Sequence, residues 1–292
     1  MTAPWIEPAR AWLRMALQPY WNDPLLAFVR EAQTVPVGGL GPLLSKASRF
    51  ARSRPLEPSP EACCKASGIR PGWNPERLQV LEALRLLLLV EREDLASPEF
   101  GAAFLGLFPF ADEGEARALY KALALIPDGE RFAWQAGEGL RTNVTGIFEA
   151  VACDSPYPAQ YLPEVAWRSL CVKALFVGAP LWRVYGLDQR LSPDLARVAL
   201  DLVEERRSAG RPIPANLWLL LGTHGGERGI ASLMAEWRAL APGQRGAVAL
   251  ALGRAGEADA LQKLVGDPAD QPFIERALAG QFDPFQWRAL EA

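Results

Sequence analysis

Histidine is nearly missing from this 292-residue chain. The lone imidazole is His224, so any mechanism needing two, the HExxH zinc site included, is excluded. Cysteine is sparse too: Cys63 and Cys64 adjoin, Cys153 and Cys171 lie far off, and no CxxC pair exists for zinc or redox exchange. Reduced thiols are the expectation. There is no excess of basic charge, since 31 Lys and Arg face 34 Asp and Glu for a formal charge of -3, which excludes a polyanion-binding tail. Ten tryptophans are scattered singly without basic clusters beside them, so no nucleic-acid partner is expected. Long apolar runs are lacking as well. Leu84 to Val90 is too short, and Leu170 to Leu187 is interrupted by Lys173, Pro180 and Arg183, whereas a spanning helix needs ~20 nearly uncharged residues. No integral membrane segment is expected. Glu7 and Arg10 stand where an export signal would need an apolar stretch, so a cytoplasmic location is expected. Without GxxxxGK[ST], a GxGxxG after a strand, or a GxSxG elbow, the usual nucleotide and hydrolase devices are absent, and neither a metal nor a cofactor is expected.

What is present is helix punctuation. Asp23-Pro24, Asn74-Pro75, Ser97-Pro98, Ser192-Pro193, Asp267-Pro268 and Asp283-Pro284 each pair a capping oxygen with proline at a first helical position. Asp112 and Glu115 add a capping-box spacing. After Ser192, apolar Leu195, Val198, Ala199, Leu202 and Val203 recur at helical steps until Gly210 stops them. The same reading predicts helices near 7–17, 24–34, 75–92, 98–108, 112–126, 130–152, 164–177 and 193–209. Alternating strand patterns are nearly absent. Residues 53–74, rich in proline, read as a loop that covers a cleft or simply connects two helices. Past Gly210, the stretch 247–265 looks like one HEAT-type helical pair, which must stack on neighbours to bury its apolar faces. The expected fold is all-α, a multi-helix right-handed bundle or solenoid-like array with HEAT-like pairs at the C-terminus. It is read as one domain over 1–292, with a main body at 1–210 and C-terminal helices at 211–292.

The most unusual polar placements lie between Glu138 and Arg211. On the helix 130–152, Phe132, Ala136, Leu140, Val144, Ile147, Phe148 and Val151 form an apolar stripe, and Glu138, Arg141, Thr142, Thr145 and Glu149 a polar one. That polar row lines a pocket or is an ordinary solvated face with intrahelical ion pairs. Asn143 falls on the apolar side, where a buried amide clamping nearby backbone is expected. Lys173 lies in the largely apolar segment EVAWRSLCVKALFVG, where an ammonium must find a carboxylate, reach water or lose its proton. Glu149, Asp154 and Asp188 are its candidate partners. Asp154 to Pro158 makes a rigid turn that holds the Tyr157 phenol at a pocket rim or merely joins two helices. Asp188 and Arg190 stand on the approach to the Ser192 cap, a place suited to anions. His224-Gly225-Gly226 reads as a helix-connecting turn.

Residues 138–211 resemble the EboA family. The resemblance is carried by Arg141-Thr142-Asn143, by D-x-PYPA at Asp154 to Ala159, by Trp167 and the KALF group at Lys173 to Phe176, by GLD-x-R at Gly186 to Arg190, and by ER-x-x-AGR ending at Arg211. Arg168-Ser169 departs from it, standing where Asn-Gln is expected. The resemblance implies a helical, noncatalytic-looking member of a bacterial cluster linked to making or exporting a secondary metabolite. Its neighbours there would be a UbiA-type prenyltransferase, a TatD-like hydrolase, a sugar-phosphate-cyclase-like enzyme and sugar-isomerase-like proteins. It carries over no catalytic residues.

The leading expectation is therefore an accessory protein that binds a small polar metabolite, or a partner enzyme of the same pathway, through 138–190. The candidate ligand-binding residues are Glu138, Arg141, Asn143, Glu149, Asp154, Tyr157, Lys173, Asp188 and Arg190. Peripheral association with a membrane prenyltransferase fits the same picture. An enzyme using Glu149 or Asp154 beside Lys173 is the first alternative, and a helical-repeat scaffold for protein partners is the second.

Overall fold

A computed structural model describes residues 3–264 and 267–290. Its helices in chain order begin with α1 (Ile6–Ala16), α2 (Asp23–Thr34), α3 (Leu40–Lys46), α4 (Pro60–Ile69) and α5 (Val80–Val90). Next come α6 (Pro98–Leu105), α7 (Glu113–Ala122), α8 (Ala133–Arg141), α9 (Thr145–Ala152), α10 (Tyr157–Tyr161) and α11 (Glu164–Val177). The last are α12 (Pro193–Ser208), α13 (Gly226–Ala239), α14 (Gly246–Arg254), α15 (Ala258–Gln262) and α16 (Gln271–Leu278). Short 3-10 turns join many of them. Among the described residues the only β-pairing is an isolated bridge between Pro55 and Gln79, so the chain is all-α. No helix among them is long and apolar enough to cross a membrane.

By packing, the chain divides into two compact units, Met1–Ala166 and Trp167–Ala292. This division falls inside α11 and not at the Gly210 break. The first unit is built around α5, VLEALRLLLLV, every residue of which is buried. A helix apolar around most of its circumference must be enclosed on all sides. Here α1, α2 and α7 enclose it. The second unit repeats the device with α14, GAVALALGR, buried throughout and packed by α13, α15 and α16. Gly253 lets α16 approach closely, because a Cβ there would sit 2.8 Å from Phe282 and 3.0 Å from Ala277.

Most of the predicted caps form; Asp267 does not cap a helix, since its carboxylate accepts from the Ala269 amide in a turn and α16 starts only at Gln271. Ser97 and Ser192 accept from the amides of Phe100 and Leu195, and the Asp112/Glu115 capping box closes in both directions. At the second helix the capping oxygen belongs to Asn22, one residue before the predicted Asp23. Two further expectations need correction. The stretch 53–74 is not simply loop: Ser59 caps α4, and the helix runs to Ile69. The expected helix 130–152 is broken into α8 and α9, because Thr142 and Val144 adopt extended backbone. Thr142 Oγ1 accepts from the Val144 amide across this break. A threonine bonded to backbone two residues on competes with continued helix, and that competition defeats the apolar periodicity.

Candidate functional site

In the second unit the GLD-x-R stretch places the predicted pair in different surroundings. Gly186, at φ 77°, turns the chain into a 3-10 turn over Asp188–Arg190. The Arg190 guanidinium lies over the Trp167 ring, 4.5 Å from its centroid. Asp188 instead meets Arg254, the last residue of the buried helix α14. Both terminal nitrogens of Arg254 donate to the Asp188 carboxylate, Nη1 at 3.3 Å, and Nη1 also reaches the Phe282 carbonyl at 3.0 Å. Arg254 is only 5% exposed, whereas Asp188 is 42% exposed. The guanidinium is thus enclosed and its counter-ion faces water. Placement at the C-terminal end of α14 also suits a cation, since the helix dipole is negative there.

Around this ion pair lies a recess of about 300 Å³. Leu191 and Gly222 form one wall. Gly222 has φ 48°, and a Cβ on it would stand 2.5 Å from Leu191 Cδ1, so the turn requires glycine on both counts. That turn presents Thr223 and His224, both exposed, to the recess. Phe282 and Asp283 also line it. The Asp283 carboxylate is held by the Phe285 amide at 2.9 Å and by Gln286 Nε2 at 3.1 Å, so its position is fixed by the 3-10 turn that follows. Two carboxylates, a hydroxyl and an imidazole therefore line one recess together with Leu191 and Phe282. That arrangement suits hydrogen bonding to a small polar molecule. Among the described residues, no group of three His, Cys, Asp or Glu is placed to hold a metal ion.

The other predicted residues lie elsewhere. Lys173, on α11 in the second unit, is half-buried, and Asp188 takes Arg254 as its partner. In the first unit, Glu138 and Arg141 pair with each other along α8, with Arg141 72% exposed. This is the solvated-face reading of that row. Asn143 is exposed at the break between α8 and α9, which corrects the expected buried amide. Glu149 is half-buried on α9. Asp154 adopts φ 55°, a left-handed conformation that costs a non-glycine residue energy, and its carbonyl accepts from the Asn74 amide at 3.0 Å. Tyr157 is in the core and not at a rim. Its phenol donates to the Gly129 carbonyl at 2.7 Å, and burial pushes its pKa above the ordinary phenol value.

Several polar residues were not singled out from the sequence. Glu82, on the buried helix α5, is 3% exposed and receives Arg117 at 2.9 Å, Lys121 at 2.6 Å and the Gln79 amide at 3.0 Å. Burial lowers the Lys121 pKa, with Glu82 opposing it. Glu91, just past α5, is enclosed and takes Arg14 at 2.6 Å and Gln33 at 2.8 Å. These networks bind α1, α2 and α7 to α5 and leave no open chemistry. Arg254 and His224, which line the recess, were also missed. The signal for Arg254 was available, as a charge ending a helix that is otherwise apolar all round. A shallower cleft of about 640 Å³ beside Trp5, Asp128, Glu130, Arg131 and Tyr161 contains none of the predicted residues.

A family model described as metabolite traffic protein EboA matches residues 38–222, more than half of the chain, so the chain belongs to the EboA family. Asp188, Leu191 and Gly222 of the recess fall within the matched stretch; Thr223, His224, Arg254, Phe282 and Asp283 follow it. No curated protein and no solved structure matches the chain.

Proposed function

We propose that this member of the EboA family is a noncatalytic accessory protein that holds a small polar metabolite in the recess beside Asp188. The supporting observation is the convergence of Asp188, Thr223, His224 and Asp283 on a recess of about 300 Å³, with the buried Arg254 fixing the orientation of the Asp188 carboxylate. A volume of this order matches the lower end of small-molecule pockets, ~300 Å³. A family described by metabolite traffic supports capture and release more than turnover. A partner enzyme would be the source or receiver of the metabolite. On this reading Asp188 is the ligand contact among the residues singled out from the sequence, while Glu138, Arg141, Asn143 and Tyr157 act in solvation and folding.

The test is native mass spectrometry of protein purified from its own cells, alongside Thr223→Trp. Thr223 lines the recess and is exposed, so a larger ring there narrows the recess without disturbing the core. A small-molecule adduct on the unmodified chain, absent from the variant at an unchanged melting temperature, is the expected result. An adduct retained by Thr223→Trp contradicts the placement.

A further inference from the structure

Resting on the reading of the recess as a binding site, we infer that its ligand is a hydrogen-bond-donating molecule without an anionic group, a polyol or its amine. Carboxylates and phosphates are turned away. The argument starts from where the positive charge is spent. Arg254 supplies the cation of the recess lining, and its terminal nitrogens already serve Asp188 and the Phe282 carbonyl. Its Nε has no acceptor among the described residues, but that atom is enclosed and out of a ligand's reach. No donor fork is therefore left open to grip an anion in the bidentate manner arginine uses.

The groups facing the open space are mainly acceptors. Asp188 and Asp283 each carry a carboxylate at the recess, and an ionised carboxylate accepts at about four lone-pair sites. Asp188 spends some of these on Arg254, and Asp283 spends some on Phe285 and Gln286. The remainder point to hydroxyl or ammonium donors. The two carboxylates and Arg254 sum to one negative charge. An entering anion would meet that excess, and Arg254 is the one Arg or Lys of the described lining. Leu191 and Phe282 add the apolar surface that the C–H face of a polyol covers.

His224 makes the test direct, because the chain's one histidine lines the recess and its imidazole resonances are unambiguous by NMR. Glucose, glucosamine, gluconate and glucose 6-phosphate are titrated separately while that signal is followed. Glucose and glucosamine are expected to shift it, with the two anions at least about tenfold weaker, the equivalent of ~1.4 kcal/mol. Asp188→Asn keeps one acceptor oxygen for Arg254 but removes its counter-charge, and is expected to reverse the order in favour of the anions. Asp283→Asn keeps both the Arg254 pair and the capping oxygen, and is expected to narrow the discrimination without reversing it. Anions that bind the unmodified chain as well as glucose overturn the ligand class, as does an unchanged order in Asp188→Asn. Silence toward all four probes, with an adduct still lost in Thr223→Trp, overturns the ligand class alone; silence with no adduct in the native protein overturns the recess reading itself.

Discussion

Tyr157 illustrates how a residue that looks like a pocket group turns out to hold the fold. It sits in the D-x-PYPA stretch, follows a left-handed Asp154, and donates its phenol to the backbone of Gly129. Burial favours its neutral form. A group whose pKa is raised on folding contributes stability that is complete below its unfolded value and is lost as pH climbs beyond it. For Tyr157 that loss begins near the ordinary value of 10.0. Replacing Tyr157 by Phe should therefore cost about 1 kcal/mol at neutral pH from the lost hydrogen bond. It should also flatten the decline in stability above pH 10. Urea unfolding of both chains at neutral and alkaline pH checks the two parts separately. An unchanged alkaline slope would show that the phenol is not protected. Asn143 makes the complementary point: an amide assigned to the interior by helical periodicity is exposed because the helix it was placed on stops at Arg141.

At the scale of elements, α5 decides the first unit. Its apolar run, Leu84 to Val90, is plain in the sequence as too short to span a membrane, whereas Glu82 just ahead of it carries no local mark of its role. Sequence distance hides its partners: Arg117 and Lys121 come from α7, and the pattern of α5 alone does not point to them. Replacing Glu82 by Gln keeps an acceptor for the Gln79 amide and removes the carboxylate that Arg117 and Lys121 both pair with. Breaking a fully enclosed ion pair from one side costs ~3–5 kcal/mol. Lys121 and Arg117 keep partial contact with water, 22% and 24% exposed, so a loss of about 2 kcal/mol is expected in urea unfolding. A loss below about 0.5 kcal/mol, the usual range of a surface substitution, would contradict the account. The helix starts at Ser97, Asp112 and Ser192 are legible because capping is local, each acting on an amide three residues away. The α8–α9 break was not, since a threonine-backbone contact competes with periodicity over one turn only.

At the scale of the whole molecule, two units each enclose one short apolar helix, and the second exposes a charged recess at the end of that helix. The GLD-x-R stretch gave Asp188 as a candidate but not its partner, because Arg254 lies 66 residues further along. Nothing local in the sequence brings those two together; the packing of α14 does. The same packing brings His224, which had read only as part of a turn, beside them. The central claim is that this recess is occupied by a small polar molecule in the cell. The most direct measurement compares the His224 imidazole resonance of protein purified from its own cells with that of the same protein stripped of small molecules by unfolding and refolding. The account predicts two distinct positions, the second returning to the first when the released small molecules are added back. Superimposable signals, with the protein refolded to the same melting temperature, would contradict it.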